Sequence, residues 1–226
     1  MVYPLKREEL IERQARRWEL EQRAAAARPA PPCIGLSRQP GSAGAEVARR
    51  VAEQLDFGCF GADIVNWIER ERGIQHRLVA GLDEHVRSLI ERYVTDSFRS
   101  GVLHESEYLR HVVRTVATLS ERGRTVIIGR GSAFILPAER SLRVLVVAPL
   151  SARADRIAAE REVSRERAEE IVREETAERR EFLRHHFGVD PDDPTLYDLT
   201  VNTDTLGIDT SVSLVVDALR RAFPEG

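Results

Sequence analysis

CIGLSRQPGSAGAEVARRVAEQL, residues 33–55, changes character twice along its length. Cys33 to Leu36 is a short apolar run, Gly41 and Gly44 mark a loop of small residues, and Val47, Val51 and Leu55 recur at helical spacing. Strand, small-residue loop and helix, in that order, direct backbone N–H groups and a helix N-terminus at an anion. The common phosphate loop G-x-x-x-x-G-K-[ST] ends in a lysine and a magnesium-binding hydroxyl. Neither stands here. The residues therefore predict a loop able to hold phosphate through its backbone and leave open whether it also transfers phosphate.

Three more runs downstream read as core strands: TVIIG (125–129), RVLVVA (143–148) and LTVNT (199–203). Like CIGLS (33–37), none alternates cleanly, which predicts strands of a parallel sheet buried on both faces. Between and after them lie helical patterns at 43–55, 61–71, 83–98, 105–122, 150–162, 164–186 and 210–223. Strands separated by helices mean βαβ units in an α/β fold. The long helical stretch between the first two strands is an insert beside the mouth of the first loop. Ahead of the domain, residues 5–27 suggest a helix with a thin apolar side (Ile11, Ala15, Trp18), which suits packing on the domain or on a second subunit. AAAARPAPP (24–32) stops that helix and makes a stiff connector. The expected division is an N-terminal helix and Pro-rich linker, 1–32, followed by one domain, 33–226.

Bulk properties limit the partners. The chain has 226 residues, of which 42% are hydrophobic and 31% charged, enough for a substantial core. Its 34 basic and 37 acidic residues give a net charge of −3, which favours neither nucleic acid nor an anionic membrane. No apolar run approaches the roughly 20 residues that span a bilayer. The N-terminal stretch is too charged for a secretory signal. Cys33 and Cys59 make neither a metal-ligand spacing nor a disulfide framework. A cytoplasmic location is expected.

Five segments, in this order, resemble the cytidylate kinase-like proteins among the P-loop nucleoside monophosphate kinases. They are SRQPGSAGAEVARRVAEQL (37–55), LDEHVRSLIERY (82–93), SEYLRHVVRTVATLSERGRTVIIGRGSAFIL (106–136), LRVLVVAPLSARADRI (142–157) and DPTLYDLTVNTDTLGID (193–209). The resemblance implies a P-loop kinase-type three-layer fold with a parallel sheet. It also implies a helical acceptor-binding insert (about 58–122) and a helical lid (about 158–190). ATP and Mg2+ are implied as donor and metal, and a nucleotide or other small phosphorylated molecule as partner. A homodimer is expected from the N-terminal helix.

Against the family loop G-P-S-G-S-G-K-G-T, Gly41 and Ser42 match. Arg38 replaces the first glycine, Ala43 the glycine before the lysine, Gly44 the lysine itself, Ala45 the next glycine and Glu46 the hydroxyl residue. Ser37, Arg38, Gly41, Ser42, Ala43 and Gly44 are the expected donor-phosphate residues, with Arg38 able to offer a bidentate contact in place of lysine. Glu46 is a candidate magnesium ligand. Gly129 and Arg130 match a Gly-Arg-Asp sequence that helps hold the acceptor in cytidylate kinases, but the aspartate is Gly131 here. By family position, Arg153 and Arg156 lie near the donor nucleotide, and Arg179 and Arg180 belong to the lid. Arg38, Arg130, Arg179 and Arg180 are the candidate catalytic residues, since guanidinium groups stabilise charge on a transferring phosphoryl group. Asp63 is a candidate acceptor contact, although capping a helix is its plainer role.

Other features read as structural. His185 and His186 are adjacent and point apart on a helix, and His104 and His111 lack further ligands. Asp190, Asp192 and Asp193 read as an acidic surface turn, and Trp67 and Tyr108 as core. Two readings follow. One is a phosphotransferase moving the γ-phosphoryl group of ATP to a nucleoside monophosphate, or a related enzyme with another small acceptor. The other is a non-catalytic nucleotide- or anion-binding protein serving regulation or scaffolding.

Overall fold

The structure, a computed structural model, describes residues 31–61, 84–99, 106–121 and 123–224. The expected helices at 5–27 and 61–71 and the residues Asp63, Trp67 and His104 lie outside that set.

Strand β1 (Cys33–Arg38) runs through the loop of interest into helix α1 (Gly44–Leu55). A short strand β2 (Gly58–Phe60) follows, then helices α2 (Glu84–Arg99) and α3 (Glu107–Ser120). Strand β3 (Thr125–Ile128) leads into the one-turn helix α4 (Ser132–Ile135). Next come β4 (Ser141–Val147), α5 (Leu150–Arg161) and α6 (Arg165–Phe187). Strand β5 (Leu199–Asn202) and helix α7 (Thr203–Ala222) close the fold. All five strands are parallel, in the order β2-β3-β1-β4-β5.

Both faces of the sheet are covered, as the unalternating strands predict. Ile34, Leu36, Val126, Ile128, Leu142, Val144 and Val146 pack on one face against Val47 and Val51 of α1 and Val212, Val215 and Val216 of α7. Cys33 and Ile127 face the other way, into a second cluster with Val94 of α2, Val112 and Val116 of α3, and Phe187. Two helical layers around one sheet make an α/β three-layer fold. Neither Cys33 nor Cys59 is in a disulfide among the described residues. No helix among the described residues is long and apolar enough to cross a membrane.

Two elements differ from the sequence reading. Gly58–Phe60, read as the start of the insert, is the edge strand of the core sheet. Three residues that include a glycine are too short for a periodicity to register. Helix α7 begins at Thr203 rather than near 210, because a first turn capped by the Asn202 side chain joins the regular helix across Gly207 (φ 72, ψ 170).

Candidate functional site

The carboxyl ends of β1, β3 and β4 open onto a cavity of about 430 Å³ roofed by the second half of α6. Open α/β sheets bind ligands at this edge. From β1 come Ser37 and Arg38, followed by Gln39 and Pro40; from the turn after β3 come Gly129, Arg130 and Gly131. Helix α6 contributes Thr176, Glu178, Arg179, Arg180, Phe182 and Leu183. Pro191, Asp192 and Tyr197 close the side from the segment between α6 and β5.

Four guanidinium groups therefore share one cavity, those of Arg38, Arg130, Arg179 and Arg180. Arg179 donates from Nη1 to the carbonyl of Arg38 at 3.0 Å, which ties the roof to the end of β1. Burial pushes the Arg179 pKa down; Glu175 opposes this and the nearby charge of Arg130 adds to it. The guanidinium stays protonated, and an anion beside it would offset both its burial and its repulsion from Arg130. Arg130 lies over the Phe182 ring, 5.8 Å from its centroid. Its Nε is buried without an acceptor among the described residues, and so is Nε of Arg180. Buried donors are seldom left unmet, so each of the two atoms has a hydrogen bond still to give.

Arg130 is held by an unusual corner. Gly129, Arg130 and Gly131 all have positive φ (74, 51 and 70), a left-handed conformation that costs an arginine about 1 kcal/mol or more. A side chain at 131 would run into the ring of Phe187. The position where the resembling family has an aspartate is thus already filled from α6.

The loop itself does not put all its expected residues on the cavity. Ser37 and Arg38 line it, whereas Gly41, Ser42, Ala43 and Gly44 lie beside it. Arg38 is the last residue of β1 rather than a loop residue. A Cβ on Gly44 would sit 2.5 Å from the Cβ of Arg38 and 3.3 Å from that of Val146. A lysine at 44 and an arginine at 38 therefore compete for one space.

Arg153 and Arg156 are bound to the protein rather than turned into the cavity. Arg153 is buried, donating to the Ala148 carbonyl at 3.0 Å and to Thr176 Oγ1 at 3.2 Å. Burial lowers its pKa, with Asp192 acting against that. Arg156 donates to the Gly41 carbonyl at 3.2 Å and to Thr203 Oγ1 at 3.4 Å. Asp192, read from sequence as part of a surface turn, lines the cavity and pairs with Arg180. Tyr197 is a second wall residue that the sequence did not single out; burial raises its pKa. Neither carries a local motif, because both reach the site only when the segment after α6 folds back.

The described residues do not form a magnesium site of their own. Glu46 lies on the outer face of α1 and holds Arg49 through both carboxylate oxygens, at 2.7 and 3.1 Å. The Ser42 hydroxyl is buried and donates to the Gln39 carbonyl at 2.8 Å. The carboxylates on the cavity are Glu178 and Asp192, and Asp192 is engaged by Arg180. No group of three metal-ligating side chains occurs among the described residues. His185 and His186 pack ring to ring at 4.8 Å.

Comparison with known proteins bears on this geometry. Residues 33–205 match the model of the cytidylate kinase-like family. The cytidylate kinase of Aeropyrum pernix is 29% identical over 189 residues, spanning 82% of this chain and 98% of that protein. The cytidylate kinase of Halobacterium salinarum is 27% identical over 193 residues, spanning 82% of this chain and 88% of that one. Among solved structures, an uncharacterized protein from Eubacterium ventriosum has a TM-score of 0.63 at 14% identity, covering 83% of this chain and 97% of that chain. That likeness concerns the fold alone.

Proposed function

The chain belongs to the cytidylate kinase-like family, and on that premise we propose that it transfers the γ-phosphoryl group of ATP to a nucleoside monophosphate. The observation that carries the reading is the set of four arginines on one cavity at the carboxyl edge of the sheet. In this reading an acceptor phosphate oxygen attacks the γ-phosphorus, the bond to the bridging oxygen breaks, and its electron pair leaves with ADP. A phosphate oxygen is already anionic, so the step needs no base to remove a proton. It needs positive charge to bring two anions together and to stabilise the charge on the transferring group. Arg130 and Arg179 suit the acceptor phosphate, and Arg38 suits the transferring group where a lysine would otherwise stand. In this reading the half-buried roof of α6 limits the access of water to the reacting phosphoryl group.

The loop favours a second reading as well. With no lysine and with Glu46 turned to Arg49, a catalyst would lack a group worth about 3 kcal/mol in comparable sites. The alternative is a nucleotide- or anion-binding protein with a regulatory or scaffolding role. Phosphotransfer from labelled ATP, with magnesium, to CMP, dCMP, UMP, AMP and GMP separates the two. Turnover with one acceptor, lost in Arg130→Ala, supports the kinase and identifies its substrate. The absence of turnover at high enzyme concentration, with ATP still bound, supports the binding protein. We also propose that residues 5–27 pair two copies of the chain; an unchanged mass in solution after deletion of residues 1–30 would reject this.

A further inference from the structure

The carbonyl groups of the loop after β1 are held from the protein side. The Gln39 carbonyl accepts from Ser42 N at 3.2 Å and from Ser42 Oγ at 2.8 Å. That of Gly41 accepts from Arg156 Nη1 at 3.2 Å, and that of Ser42 from Thr203 Oγ1 at 2.8 Å. Ala43 O accepts from Val47 N at 3.0 Å, in the first turn of α1. In a trans peptide the N–H points opposite to the C=O, and there are no cis peptides among the described residues. With the Ser42 carbonyl drawn toward Thr203, the N–H of Ala43 faces the other way. With the Ala43 carbonyl inside the helix, the N–H of Gly44 projects from its N-terminus.

The Ser42–Ala43 peptide is the joint at which a side chain decides the outcome. Ala43 has φ 56 and ψ 17, a left-handed conformation that is costly for alanine. Flipping that one peptide plane would carry its φ back to the favoured side and reverse the N–H. What opposes the flip is the hydroxyl of Thr203, which is 2% exposed at the start of α7. Thr203 Oγ1 accepts from Arg156 Nη1 at 3.4 Å and has one proton to give. Ser42 O at 2.8 Å is the nearer acceptor; Val147 O lies at 3.4 Å.

We propose that Thr203, oriented by Arg156, is the positioning residue of the anion loop: it fixes the Ser42–Ala43 peptide so that the N–H groups of Ala43 and Gly44 face the phosphates of the donor. The proposal rests on the reading above, in which the loop takes the donor. Arg156, placed near the donor nucleotide by family position, acts instead behind the loop.

The test titrates pyrophosphate and ATP calorimetrically into wild type, Thr203→Val and Thr203→Ser, and follows the backbone amide resonances of Ala43 and Gly44 without ligand. Valine keeps the shape and removes the hydroxyl, so affinity for both ligands should fall about tenfold and the two resonances should move. Serine keeps the hydroxyl and should stay within about twofold of wild type, an outcome that a purely packing role for Thr203 would not give. Arg156→Gln, which leaves the hydroxyl in place, should weaken binding by about threefold and serves should the valine variant fold poorly. Unchanged affinity or unmoved resonances in both Thr203→Val and Arg156→Gln would overturn the proposal, as would a wild type that binds neither ligand. A wild type that binds both but transfers no phosphate would remove the kinase reading and leave this one intact.

Discussion

At the scale of the residue, the cavity depends on side chains that exclude one another. The Cβ of Arg38 occupies the place that any side chain on Gly44 would need. Gly44→Lys should therefore lower the free energy of unfolding by about 2 kcal/mol, the usual cost of overpacking. The double variant Arg38→Gly, Gly44→Lys should recover most of that loss, giving a coupling of about 1 kcal/mol or more in a urea double-mutant cycle. Strict additivity would mean that the two positions do not share space. Arg130 offers the opposite trade. At φ 51 it sits where glycine is at ease, so Arg130→Gly should stabilise the fold by about 0.5–1 kcal/mol while abolishing anion binding. A variant that is both less stable and still able to bind would contradict the account of that corner.

At the scale of the element, α6 matters because one helix does two things. Its first half packs Ala168 and Val172 against Ala154 and Ile157 of α5, and its second half carries Arg179 and Arg180 over the cavity. The return segment then joins β5 to β4 through Asp198, whose carboxylate accepts from the backbone N–H of Arg143 at 2.8 Å and from its guanidinium at 2.7 and 3.1 Å. The Arg143 side chain, aided by that N–H, holds the Asp198 pKa below its ordinary value of 3.8. A carboxyl depressed in the folded state contributes stability that is fully present above 3.8 and disappears as pH falls through the folded value. Asp198→Asn should therefore lower the urea midpoint near neutrality, and the gap from wild type should close as the solution is taken below about pH 4. A gap that persisted in acid would assign the effect to packing instead.

At the scale of the whole molecule, a net charge of −3 coexists with a cavity lined by four arginines against two carboxylates. Lys6 is the one lysine in the sequence, and every other cationic side chain apart from histidine is an arginine. Arginine at the cavity thus follows the whole chain's choice of cation. Because four such groups converge, affinity for pyrophosphate should fall steeply as salt is raised from about 0.05 to 0.5 M, despite the acidic overall balance. A flat response would mean that the guanidinium groups do not face the ligand. Much of this architecture was legible in the sequence, since four of the strands are apolar runs long enough to register. Strand β2 was not, having three residues and an edge position. The four arginines were legible through family position and not through their spacing. Asp192 and Tyr197 were not, because the return of the chain after α6 brings them to the site, and Phe187 was not, because only the docking of the end of α6 sets its ring against Gly131. Thr203 was hidden for a different reason: its partner is a backbone carbonyl, which no side-chain pattern marks.

The contact between Arg38 and Gly44 also bears on descent. A lineage with arginine at the end of β1 cannot acquire a lysine at 44 by one substitution without passing through a crowded, less stable protein, and losing the arginine first leaves the cavity without either cation. Gaining a lysine at 44 therefore requires two changes close together in time. The loop acts as a ratchet, and descendants of an arginine-bearing ancestor should keep glycine at 44 for as long as they keep the arginine at 38.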